Sequence, residues 1–280
     1  MDVLEPMMAA SGTESPPSSV LLALVDDAQR VIFEMLSDAL LPTVALNLAV
    51  CCRKLHAISE GLRINLRQRH NDARRLCARV NTSCAAVSKA KELLWYGQGF
   101  TMVHMQVLGS LMGTNALQHL EVLNLSINRF GQEGMQALSE GLVHGSLPQL
   151  LSLDLTGNKL GPAGAMALAT TFRRGAMPKL EVLKLGRNDI GDQGLVALAP
   201  PLRWLRALKE IYLHSNQIGD HGVAVLLANL VHRQLRELNL EHNLAISDAG
   251  RATLNAALDV RKSGACAAMC CDSWGKLNIN

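Results

Sequence analysis

An α/β solenoid preceded by a small all-helical module is the fold class this sequence predicts, and three observations predict it. Leucine fills 49 of 280 positions, against four Phe, three Trp and two Tyr, a bias that suits repeated packing slots better than one irregular core. Five segments of the second half share one spacing in fixed register, Leu-x-x-Leu-x-Leu-x-x-Asn-x-(aliphatic or Phe). After each of them an apolar pattern of helical spacing returns.

The five segments are Leu120-Leu123-Leu125-Asn128-Phe130, Leu150-Leu153-Leu155-Asn158-Leu160, Leu180-Leu183-Leu185-Asn188-Ile190, Leu208-Ile211-Leu213-Asn216-Ile218 and Leu235-Leu238-Leu240-Asn243; their asparagines step by 30, 30, 28 and 27 residues. Leu-x-Leu alternates with period two, so both leucines face one side of a short strand and the residues between them face the other. The asparagine falls where the chain turns, and its amide can bond backbone groups of neighbouring turns, building a ladder along the stack. Glycine pairs follow at Gly131/Gly134, Gly161/Gly164, Gly191/Gly194 and Gly219/Gly222, where tight backbone turns are expected. Then come Ala137-Leu138-Leu142, Ala167-Leu168-Phe172, Ala197-Leu198-Leu202, Val225-Leu226-Leu230 and Thr253-Leu254-Leu258, each at helical spacing. One unit cannot bury its apolar side alone, so the units must stack with parallel strands on the concave side and helices on the convex side.

A sixth, degenerate unit precedes these. Leu93, Trp95, Gln98 and Phe100 fit the template, followed by Val107, Leu108 and Met112 on a helix, but Ala90 stands where leucine should and the glycine pair is missing. That is the expected form of an end cap. The solenoid is therefore assigned to residues 90–262, with two irregularities: one extra residue between Asn243 and Ile246, and Pro200-Pro201 interrupting the third helix.

These motifs make the chain similar to the leucine-rich repeat family, and units of 27–30 residues most resemble its ribonuclease-inhibitor type, found in intracellular proteins. The resemblance implies a protein-binding role on a fold that catalyses little.

Residues 1–20, with Ser-Gly-Thr-Glu-Ser-Pro-Pro-Ser-Ser, lack apolar periodicity and read as a disordered arm. Residues 21–60 turn to helical spacing: Leu24 to Phe33, Leu36, then Leu46 to Ile58 with Val50, Cys51, Cys52, Arg53 and Leu55. This stretch resembles an F-box, although Val25 replaces the proline of that family's pattern and the part between Phe33 and Val50 is longer than usual. The resemblance implies that Leu24, Ile32, Phe33, Leu36, Val50 and Leu55 divide between the module's own core and a surface that docks a Skp-type adaptor. An amphipathic cap that only closes the solenoid's open end is the alternative reading. Residues 61–89 read as a connecting basic helix; from Arg53 to Arg79 eight Lys or Arg stand against Glu60 and Asp72. No stacking aromatic, recognition helix or zinc-finger spacing accompanies that charge, so a solvated helix is preferred to a nucleic-acid surface.

Composition narrows the function classes. Twenty-seven basic against 24 acidic residues give a net charge of +3, too mild to argue for nucleic acid. No apolar run reaches the roughly 18 residues of a membrane span. The N-terminus lacks the charged-then-apolar order of a signal peptide, so the seven cysteines read as reduced thiols, the sequons at Asn81 and Asn124 as chance matches, and the location as cytoplasmic or nuclear. Gly97-Gln98-Gly99 is no phosphate loop, Gly109 to Gly113 no nucleophile elbow, and no His-Glu-x-x-His occurs; the chain is read as a non-enzyme that needs no cofactor. In the tail, 263–280, Cys266, Cys270 and Cys271 have poor zinc spacing and read as thiols rather than as a metal or lipid site.

Function is expected on the concave face. The template places three outward columns there: Asn124, Asp154, Lys184, Tyr212, Asn239; then Ser126, Thr156, Gly186, His214, Glu241; then Ile127, Gly157, Arg187, Ser215, His242. Lys184 and Arg187 lie mid-array between Asp154 and the carboxylates Glu210, Glu237 and Glu241, a mixed-sign strip suited to a protein or peptide of complementary charge rather than to a small-molecule substrate. Tyr212, read as the only aromatic on the face, is the anchor candidate. His214, Glu241 and His242 invite a metal reading, against which a solvated polar patch is preferred. Two functions stay open: a ubiquitin-ligase adaptor that joins a Skp-type subunit to an unknown substrate, or a scaffold or regulator similar to the ribonuclease-inhibitor or Ran GTPase-activating families.

Overall fold

Every template leucine lands in line beneath a common parallel ribbon. The structure, a computed structural model, describes residues 60–114, 116–230, 235–262 and 276–278, together with Thr43. Two helices come first, α1 (Glu60–Arg79) and α2 (Cys84–Lys89). Strands and helices then alternate: β1 (Glu92–Leu94), α3 (Met102–Met112), β2 (Val122–Asn124), α4 (Gly131–Gly141), β3 (Ser152–Asp154), α5 (Gly161–Arg173), β4 (Val182–Lys184), α6 (Gly191–Leu202), β5 (Glu210–Tyr212), α7 (Asp220–Leu230), β6 (Glu237–Asn239), α8 (Asp248–Lys262) and β7 (Lys276–Asn278). The strands form one seven-stranded sheet in sequence order. All neighbours are parallel, and the register runs Leu93, Leu123, Leu153, Leu183, Ile211, Leu238, Leu277. This is an α/β leucine-rich solenoid with its strands on the concave side and its helices on the convex side.

The asparagine ladder forms as its spacing predicts. Asn158 donates to the carbonyls of Leu125 and Leu155, both at 2.9 Å, while its Oδ1 accepts from the backbone N–H of Asn128 at 2.9 Å and of Arg129 at 3.0 Å. Asn188 and Asn216 repeat the pattern, and Asn216 N–H in turn donates to Oδ1 of Asn243 at 2.8 Å. Each amide thereby satisfies turn groups that would otherwise be buried and unpaired. The degenerate unit, with Gln98 in the asparagine position, hands the first rung to Phe100 N–H, which donates to Asn128 Oδ1 at 3.2 Å.

The paired glycines do two separate jobs. The first of each pair in the early repeats is left-handed, as at Gly161 with φ of 60°. The second makes room: a Cβ on Gly164 would stand 2.8 Å from Leu160 Cβ, beneath the turn it must clear. Between α3 and α4 a close crossing depends on Gly109 and Gly141, since a Cβ on Gly141 would fall 2.1 Å from the Gly109 carbonyl carbon.

The start of the solenoid is closed by α1 and α2, whose Ala73, Leu76, Cys77 and Val87 join one core with Leu93, Met105 and Leu108. Arg79, at the end of α1, donates to the carbonyls of Gln98 at 2.8 Å and Gly99 at 3.2 Å, satisfying the turn that has no preceding repeat beyond it. Thr101 and His104 form a capping box on α3, in place of the missing glycine pair. Residues 61–89 are thus two helices joined through Asn81, whose φ is 52°.

Two local features differ from the sequence reading, the prolines and the tail, and a third, the extra residue, agrees with it. Pro200 and Pro201 do not interrupt α6; they lie in its last turn, where the helix is about to end, and Pro201 is buried. The extra residue after Asn243 leaves Leu244 88% exposed. The tail, which carried no predicted element, supplies β7: Leu277 falls in register with Leu238, and Leu240 N–H donates to Asn278 O at 3.0 Å, so the last repeat's edge is paired. The F-box-like stretch, including Leu24, Ile32, Phe33, Leu36, Val50 and Leu55, lies outside the described residues, as do Cys266, Cys270 and Cys271.

Candidate protein-binding face

Three-residue strands with a buried middle leave their first and third residues on the open side of the sheet. The third residues form one row, Leu94, Asn124, Asp154, Lys184, Tyr212, Asn239, and the first residues another, with Val182, Glu210 and Glu237 side by side. Asp154, Lys184, Glu210, Tyr212 and Glu237 are therefore neighbours on one surface. His214, Glu241 and Arg187 continue it along the following turns, and Arg187 is exposed.

The centre of this surface is organised. Tyr212 donates its hydroxyl to Glu210 Oε2 at 3.1 Å, and the ammonium of Lys184 lies 5.6 Å from the Tyr212 ring centroid, in cation–π range. Burial, then hydrogen bonding and charge from Glu210 and Glu237, hold the phenol well above its ordinary pKa, so it stays a neutral donor. His214 lies over the adjacent strand's Gly186, where a Cβ would meet the ring at 2.2 Å. Glycine in that column thus makes the platform on which the imidazole rests. Burial first, then the Arg187 guanidinium, push the His214 pKa down, against weaker pulls from Glu241 and Asp154. At neutral pH His214 is an uncharged ring, not a cation.

Some polar residues here serve the fold. Asn124, Asp154 and Asn239 each accept, through Oδ1, the backbone N–H two residues on, at 2.9, 2.9 and 3.1 Å. They hold the turn that follows each strand. Lys184 and Tyr212 occupy the same row without that task, which leaves their side chains for contact.

Sequence reasoning missed one end of the face. Leu94 and Tyr96, of the degenerate unit, continue the rows outward and are 56% and 59% exposed; Ile127 in the next unit is 59% exposed. Tyr212 is accordingly not the only aromatic on the face. Ile127 also has φ of 59°, a left-handed backbone that a β-branched residue rarely adopts, where the next unit has Gly157. The signal was available: aligning the degenerate unit places Leu94 and Tyr96 in the columns of Asn124 and Ser126, but that alignment extended only to the buried positions.

Among the described residues no group of three His, Cys, Asp or Glu is placed to hold a metal ion, and no helix is long and apolar enough to cross a membrane. Geometry therefore defines a class first: a strand–helix repeat protein whose open sheet carries an organised polar surface. The family comparison then says which repeats these are. A family model described as Leucine Rich repeat matches residues 116–139, 147–169 and 176–199, so the chain carries leucine-rich repeats, which generally serve as non-catalytic protein-interaction scaffolds. No curated protein matches the chain.

Proposed function

We propose that the chain is a non-catalytic adaptor that captures a protein on its concave face and delivers it to a cullin-type ubiquitin ligase through a Skp-type subunit. The observation that carries the capture is the composition of the face along its length. It runs from exposed Leu94, Tyr96 and Ile127, through Lys184 and Arg187, to Glu210, Glu237 and Glu241. Clustered apolar exposure next to ordered charge is the anatomy of an interface, with anchors and orienting groups side by side. The adaptor's mechanism is proximity: it holds an acceptor lysine near the transferring enzyme and does no chemistry itself. The ligase part rests on the F-box resemblance of Leu24, Ile32, Phe33, Leu36, Val50 and Leu55. A cytoplasmic or nuclear location goes with that reading.

A second reading has its own support. Helices α1 and α2 share the solenoid's core, as a plain cap does, and a scaffold without a ligase role needs nothing more. Co-purification with a Skp-type adaptor separates the two. The full chain should capture it, and a variant with Ile32→Glu and Phe33→Glu should not. Failure of the full chain to capture it leaves the scaffold.

A further inference from the structure

A pair of thiols that the binding face does not use lies in the helical cap that closes the start of the solenoid. Cys77 is in the last turn of α1 and Cys84 opens α2, and the turn through Asn81 brings their Sγ atoms to 3.6 Å. Both are reduced. Both border a groove of about 680 Å³ that His70, Arg74, Arg75 and Ser83 also line, but Cys77 is only 1% exposed whereas Cys84 is half-buried. Burial, then the proximity of Cys84, raises the Cys77 thiol to about 12, so this sulfur rests protonated. The two thiols are therefore unequal: both line one basic groove, but Cys84 is open to solvent where Cys77 is covered.

We propose that Cys77 and Cys84 form a dithiol site that exchanges with small anionic disulfides of the glutathione class, with Cys84 as the attacking thiol and Cys77 as the resolving one. The Cys84 thiolate attacks one sulfur of the incoming disulfide. That S–S bond breaks, a mixed disulfide forms on Cys84, and the first small thiolate leaves and takes up a proton. Cys77 then gives its proton to water and attacks Cys84 Sγ, closing the Cys77–Cys84 bond and releasing the second small thiol. Two protein thiols are oxidised by two electrons, and one disulfide is reduced to two thiols. Side-chain rotation must bring the sulfurs from 3.6 Å to a bond of about 2 Å. Arg74 and Arg75 are exposed beside the groove, Arg75 with Asp72 at 3.6 Å, and together they leave a net positive field that favours an anionic reagent. Closure would tie α1 to α2 across their turn, at the cap that seals the first repeat.

Sequence makes the test direct, because Arg79 lies between the two cysteines. The full chain is incubated with oxidised glutathione, its remaining thiols are blocked, and it is digested with trypsin without reduction. Peptides 76–79 and 80–89 should emerge joined. Cys77→Ser should accumulate glutathione on Cys84, while Cys84→Ser should leave Cys77 unmodified. Arg74→Glu with Arg75→Glu should slow exchange with oxidised glutathione about tenfold relative to cationic cystamine. Peptides that stay separate, or glutathione appearing on Cys77 as readily as on Cys84, would overturn the site. An unchanged ratio between the two reagents would overturn the anionic class of its substrate.

Discussion

Two rows of the same strands, one turned inward and one outward, obey different rules. Inward, Leu123, Leu153, Leu183, Ile211 and Leu238 are almost identical, fully buried and stacked in line. Outward, Asn124, Asp154, Lys184, Tyr212 and Asn239 share a row and little chemistry. Stacking requires one shape repeated, because every rung must accept the next. Water makes no such demand on the outer row, so its identities are left to whatever it contacts and to local turn bonds. The contrast teaches where to look for function in such a fold, and it can be broken experimentally.

The largest effect belongs to the inward side. Asn158 is completely buried with four hydrogen bonds to two repeats, so Asn158→Ala strands several backbone groups and should cost about 3 kcal/mol. Leu153→Ala should cost a similar amount, about 3 kcal/mol, by leaving a cavity between rungs. Both are read from denaturant midpoints at fixed slope. A loss no larger than that of an exposed substitution such as Lys159→Ala would mean the ladder is not what joins the units.

Next comes the outward side. Lys184→Glu with Arg187→Glu reverses the middle of the face, and should reduce capture of partner proteins from lysate by tenfold or more, on the order of 1.4 kcal/mol. Thermal stability should stay within about 0.5 kcal/mol of the parent chain, since neither side chain enters the core. If captured proteins are unchanged in identity and amount, the charged strip is not the contact surface.

The same contrast explains what could be read from the sequence. Leucine and asparagine positions were legible because each is forced by burial five times over, and repetition reveals a rule that one occurrence hides. The seventh strand was not legible: Lys276-Leu277-Asn278 carries one leucine and is selected by the unpaired edge of β6, a tertiary demand. The prolines were misjudged because their effect depends on distance from the helix end, which composition does not give. On the face, charge order was legible from the template. The role of Asp154 in holding Thr156 N–H, the seat of His214 on Gly186 and the left-handed Ile127 needed coordinates.

Ile127 sharpens the comparison further, because fold and contact there should pull in opposite directions. Its backbone is left-handed, a conformation that asparagine tolerates better than a β-branched residue. Ile127→Asn should therefore raise stability by about 1 kcal/mol while lowering partner capture, as expected of a strained residue kept for contact. A variant that is less stable would show that the isoleucine's packing against Gly157 outweighs its backbone strain.

The smallest effect concerns His214 and follows from linkage. Its folded pKa lies below the ordinary imidazole value of 6.5, with burial as the first cause and Arg187 as the second. Below that value the unfolded chain takes up a proton more readily than the folded one. The His214 contribution is therefore fully present at neutral pH and is lost as pH falls through 6.5 toward the depressed folded value. Because the ring is partly solvated, screening keeps the effect small, a slight fall in Tm between pH 7 and pH 5. The comparison is with His214→Gln, which keeps a polar side chain but cannot titrate in this range: the parent chain should lose slightly more than the variant. Equal losses would place His214 in ordinary solvent, and the face would then lack the uncharged ring that separates its cationic middle from its acidic end.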